Sequence, residues 1–164
     1  MHQLFQVLTV LFVLTPLCSV VGQPMTNDNL EKILYVVGDS LTGNAGNWQF
    51  EVEGIPMFCI TDASHDRMRI ICPVRELSKV TSEEMRRCME ANFHTVLDVR
   101  YATSRDILWV AFIHPLTLLS KQQVIDAVSQ LYHAALNFGS TYNSTNLSFP
   151  KTEDVKSDGK TKKT

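Results

Sequence analysis

The chain has 164 residues, 45% of them hydrophobic and 20% charged, with 15 Lys and Arg against 17 Asp and Glu. Residues 23–150 hold ten Lys and Arg against fourteen Asp and Glu, an acidic balance that lacks the basic stripe a nucleic-acid binder needs. About 142 residues follow a greasy N-terminus, enough for one domain with a sizeable core and too few for two ordinary ones.

The opening stretch "MHQLFQVLTVLFVLTPLCSVVGQ" contains no Lys, Arg, Asp or Glu, and Leu4 to Leu14 is nearly continuous apolar chain. Val20-Val21-Gly22 suits signal peptidase, so residues 1–22 are expected to be a signal peptide, cleaved after Gly22, on an exported protein. The usual positive n-region is missing. An uncleaved anchor is the alternative, but the run is short and broken by Pro16, so no stable membrane span is expected after cleavage. Cys18 follows Leu17 where a lipoprotein signal wants Gly or Ala, and reads as one more apolar residue of the run.

In the mature portion, Leu30, Ile33, Leu34 and Val37 recur at helical period, with Asn27 or Asp28 as cap and Gly38 placed to terminate the helix. "NWQFEVEG" alternates as a strand, setting Trp48, Phe50 and Val52 on one face. "IPMFCIT" and "RMRIICPV" are a second and third strand across a polar turn at His65-Asp66. That turn would oppose Cys59 to Cys72, a candidate disulfide in an oxidising compartment, although all three mature cysteines also suit burial as small hydrophobes. "VTSEEMRRCMEANF" is a helix with Thr81 and Glu84 in capping-box spacing. "TVLDVRYATS" and "DILWVAFIHP" are two further strands, and Ser120 with Gln123 caps a final helix that ends near Gly139.

The expected order is α-β-β-β-α-β-β-α: an α+β domain over 23–150, with a five-stranded antiparallel sheet and helices on one face. The Lys-rich "KTEDVKSDGKTKKT" of 151–164 has almost nothing apolar to bury and is expected to be a disordered tail.

Gly38-Asp39-Ser40-Leu41 resembles the opening block of the GDSL family of secreted esterases and lipases, which would make Ser40 a nucleophile. Such a serine needs a histidine to take its proton, an acid to orient the histidine, and oxyanion donors. The family's Gly-x-Asn-Asp block occurs nowhere, and three residues before His114-Pro115 stands Ala111 rather than Asp. The only Asp-x-x-His, Asp62 to His65, falls in the hairpin turn. A helix-terminating turn is therefore the reading adopted for 38–40, with no catalytic residue assigned. His65, His94, His114 and His133 share no ligand spacing, so neither a metal nor a cofactor is expected. Asp98 and Arg100 are read as an ion pair on one strand face, and Asn143 and Asn146 head glycosylation acceptor triplets.

Taken together, "NWQFEVEGIPMFCITD", "ANFHTVLDVRYA", "FIHPL" and "NFGSTYNSTNLSFP" resemble small bacterial proteins related to type III secretion chaperones and the YbjN-type regulators, over about two-thirds of the chain. The resemblance implies the same sheet-and-helix fold, a homodimer, and activity by binding an unfolded stretch of a partner along an apolar groove. Trp48, Phe50, Phe58 and Trp109 are the candidate partner-binding residues, since they supply more large apolar surface than a solvated face tolerates; the plain alternative is that these aromatics are core under the helices. Secretion chaperones work in the cytosol, so an exported relative is expected to act as a non-enzymatic protein- or peptide-binding module. A GDSL-type hydrolase using Ser40 and a structural, envelope-associated domain are the alternatives.

Overall fold

The computed structural model describes residues 23–145. The expected signal peptide, the Lys-rich tail and Asn146 lie outside the described residues.

Three helices and six strands follow one another: α1 (Asn27–Val37), β1 (Asp39–Asn44), β2 (Asn47–Val52), β3 (Ile55–Asp62), β4 (Arg67–Glu76), α2 (Ser82–His94), β5 (Arg100–Ser104), β6 (Ile107–His114) and α3 (Lys121–Leu136). The class is α+β, but the sheet has six strands rather than five, in the order β1-β2-β3-β4-β6-β5, with every neighbour antiparallel. The added strand is β1, whose first two residues, Asp39 and Ser40, were expected to belong to a turn. It is an edge strand with no buried side chain, so it carries no alternation for sequence to display.

The helices start where side chains satisfy their free amides. Thr26, one residue before the expected caps, accepts from the Asn29 amide, and complete capping boxes form at Thr81/Glu84 and Ser120/Gln123. Gly38 ends α1 by donating to the Leu34 carbonyl, yet its φ of −126° is ordinary extended backbone. The left-handed conformation falls on Ser40 instead, within an irregular stretch of pairing between Asp39 and Thr42.

The helices cover one face of the sheet, and the core lies between. Trp48, Phe50, Met57, Ile70, Leu108 and Val110 are buried there against Leu30, Leu34, Val124 and Leu131 of the helices. Directional bonds fix the layers to one another. Trp48 Nε1 donates to Glu31 on α1 at 3.2 Å, and the buried Tyr101 hydroxyl donates to the Ala134 carbonyl of α3 at 2.7 Å. Asn92 on α2 exchanges two bonds with the Tyr101 backbone.

Two further expectations are corrected. β5 begins only at Arg100. The preceding 95–99 stretch is a loop that drops Val96 and Val99 into the core, with Asp98 accepting from Gln130 Nε2 and Arg100 donating to the Leu97 carbonyl rather than to Asp98. The β3–β4 hairpin turns through a 3₁₀ segment at Ala63–His65 and pairs Cys59 with Ile70, two residues off the register that would oppose it to Cys72. Cys72 instead faces Val110 of β6, the strand on the other side of β4, and Cys59, Cys72 and Cys88 are free, buried thiols.

Candidate partner-binding face

The strand pleat sends alternate residues of β3, β4 and β6 away from the helices, and most of those near the middle of the sheet are apolar too. One cross-strand row reads Gln49–Phe58–Ile71–Ala111–Arg100, polar at its ends and apolar through its middle. The next reads Asn47–Ile60–Arg69–Ile113, and beside the first Trp109 lies between Pro73 and Ala102. Phe58, Ile71, Trp109 and Ala111 are half-buried by one another, while Ile60 and Ile113 stay 37% and 65% exposed. These side chains line a shallow cavity of about 510 Å³ whose polar lining includes Arg69 and Arg105.

The aromatic part of this floor is fixed. Trp109 Nε1 donates to the Ser104 carbonyl at 3.0 Å, holding the indole along the β5–β6 hairpin. The Phe58 ring meets it edge-on, at a centroid distance of 6.3 Å and an interplanar angle of 74°. Covering a side chain such as Ile113 would return on the order of 1–2 kcal/mol. A contiguous apolar patch on a folded surface marks a place where something else packs.

Of the four residues expected to form the partner surface, the structure brings together two. Phe58 and Trp109 lie on the helix-free face. Trp48 and Phe50 point the other way, at 1% and 0% exposure, and are core under the helices. Period-two alternation shows that Trp48 and Phe50 share a face but not which face it is. The register answers: they pair with Cys59 and Met57, so Phe58 between those two must project oppositely. Ile71 and Ile113 were not singled out from the sequence, although alternation in "RMRIICPV" and "ILWVAFIH" carried the signal for both.

Ser40 is exposed on β1, and none of the described histidines hydrogen-bonds to it. His65 does gain a carboxylate, its Nδ1 lying 2.8 Å from Asp62 Oδ2, with Ser64 Oγ donating to Asp62 Oδ1 at 2.6 Å. The same Nδ1 is the ring atom 3.1 Å from Ser64 Oγ, so acid and hydroxyl meet one nitrogen and no relay through Nε2 exists. The cluster caps the 3₁₀ turn, and the Ser64 hydroxyl followed by His65 pulls the Asp62 carboxyl down to about 2. No group of three His, Cys, Asp or Glu among the described residues is arranged to hold a metal ion. No described helix is long and apolar enough to cross a membrane.

Comparison of the sequence with protein-family models and with curated proteins found no match.

Proposed function

We propose that the protein is an exported, non-enzymatic module that binds an extended stretch of a partner protein on the helix-free face of its sheet. The observation that carries this reading is the apolar centre of that face, built from Phe58, Ile60, Ile71, Trp109, Ala111 and Ile113 and left open between polar margins. A solvated sheet face alternates to polar residues, and this one does not. The resemblance to secretion chaperones supports the same reading and adds the expectation of a homodimer. The charge-free N-terminus supports export.

A photo-activatable residue placed at Ile113, with a matched one at exposed Lys121 on the helical side, tests the binding face in the native host. A discrete adduct from position 113 alone is expected. Equal labelling from both positions, or none from either, would refute the assignment. The exported fraction should contain a chain starting at Gln23, and a full-length chain confined to the cytosol would overturn the localisation. Light scattering should give twice the chain mass; a clean monomer counts against the chaperone analogy.

A further inference from the structure

Residues 23–145 contain seven arginines, and five are engaged within the protein. Arg75 pairs with Glu84, Arg86 with Glu83 and Glu90, and Arg87 lies over the Tyr142 ring. Arg67 and Arg100 donate to backbone carbonyls of their own loops. The two whose side chains have no hydrogen bond, ion pair or ring contact among the described residues are Arg69 and Arg105, and both line the apolar cavity described on the open face.

Building on the open face as a binding surface, we infer that its occupant is an extended apolar segment of a partner protein that carries an acidic side chain near each end, seated between Arg69 and Arg105. Arg69 is flanked across the sheet by Ile60 and Ile113 and along its own strand by Arg67 and Ile71, and it forms no ion pair among the described residues. A partner that covers this floor removes water from the guanidinium. Without an anion in exchange, that desolvation opposes binding; with one, the planar fork takes a carboxylate through two parallel hydrogen bonds. Purely apolar and basic segments are thereby disfavoured. The other half of the same face carries negative charge, at Glu51 beside Pro56 and Asp39 beside Glu51. An acidic segment is therefore directed onto the β4–β6 side.

Length follows from the strands. Arg69 sits opposite Ile113, and Arg105 lies in the turn just before Ile107. The intervening run of β6 spans about 20 Å at roughly 3.3 Å per residue, the reach of an extended segment of about six or seven residues. Between its acidic ends, alternate side chains would rest on Trp109, Ala111 and Ile71.

The test uses three end-capped octapeptides with alternating leucine and threonine between identical first and last residues, which are glutamate, glutamine or lysine. Trp109 reports binding by fluorescence, since Trp48 is buried away from the face. The glutamate peptide should bind at least about tenfold tighter than the glutamine peptide, and the lysine peptide most weakly. An R69Q/R105Q variant should bring the glutamate and glutamine peptides level, with the urea midpoint unchanged. Equal binding of all three peptides would overturn the acidic specificity and leave the face as a binding surface. Binding of none of them would overturn both. A dimer that falls apart in R69Q/R105Q would show that a second copy fills the groove. Saturation by dodecanoate with no peptide binding would reassign it to a small carboxylate. Either result would overturn the inference.

Discussion

Replacing Gly38 by alanine separates a structural role for the 38–41 stretch from a chemical one. Gly38 has an extended φ that any residue adopts, so backbone strain is not at issue. Space is. A Cβ built there would stand 2.4 Å from Phe50 Cδ2 and 3.1 Å from both Phe50 Cγ and the Glu51 carbonyl oxygen. Phe50 is 0% exposed, packed beneath the helices, and its ring must move into occupied volume. Overpacking of this kind costs about 1–3 kcal/mol. The alanine's smaller unfolded-state entropy offsets roughly 0.4–1 kcal/mol of that. Gly38→Ala should therefore destabilise by about 0.5–2.5 kcal/mol, lowering the urea midpoint with an unchanged slope. At roughly 3–5 °C per kcal/mol for a domain of this size, Tm falls by about 2–12 °C. Phe50→Leu shrinks the clashing group, so the double variant should be more stable than the sum of the singles predicts, by at least about 0.5 kcal/mol. A neutral or stabilising Gly38→Ala, or strict additivity with Phe50→Leu, would refute the packing argument.

Burial pushes the Cys59 and Cys72 thiols up to about 12 and Cys88 up to about 11, so iodoacetamide at pH 8 should label none of them in folded protein and all three in urea. Intact mass without reductant checks the pairing directly; a two-proton deficit would mean that Cys59 and Cys72 join despite their offset register. The Thr117 amide, 2.7 Å from Asp66 Oδ1, holds the Asp66 carboxyl below its ordinary range. The stabilisation is complete above the unfolded pKa near 4 and is lost as pH falls through the lower folded value, so Tm should drop below about pH 4. Asp66→Asn, which tolerates the left-handed backbone at that position, should flatten this acid limb, and an unaltered limb would exclude Asp66 as a contributor. Ser40→Ala should leave any hydrolysis of a simple phenyl ester unchanged, and loss of turnover would restore the esterase reading.

What the sequence disclosed depended on how each element meets the core. α2 and α3 announce themselves through capping boxes and one buried stripe, and their starts match the capping residues read from spacing. β2 and β4 alternate visibly because one set of side chains is fully buried. β1 fully buries no side chain, and its opening Asp39-Ser40 reads as turn. The open face was only half legible for the opposite reason. Through the middle of β3 and along β6 both residue sets are apolar, so the pattern there could not say which set the helices cover. The choice rests on α1 and α3, which take Trp48, Phe50 and Tyr101 and leave Phe58 and Trp109 outside. The hairpin register turned on the 3₁₀ segment at Ala63–His65, and one such turn moves every cross-strand partner by two.

The place of α3 in the chain has a consequence for the order of events during synthesis. The first four strands are a plain meander, each paired with its predecessor, and can form hairpins as they emerge. α1 covers part of β1 and β2, but the faces of β4 and β6 close against α3, which also packs on α1 and supplies Val124, Val128 and Leu131 to the core. The end of β3 and the end of α3 are separated by the span from Asp62 to Leu136, about 4–15 s of translation at ordinary rates. During that interval β4, with the core residue Ile70, has no α3 above it. A nascent chain in that condition carries an incomplete core until its last helix arrives.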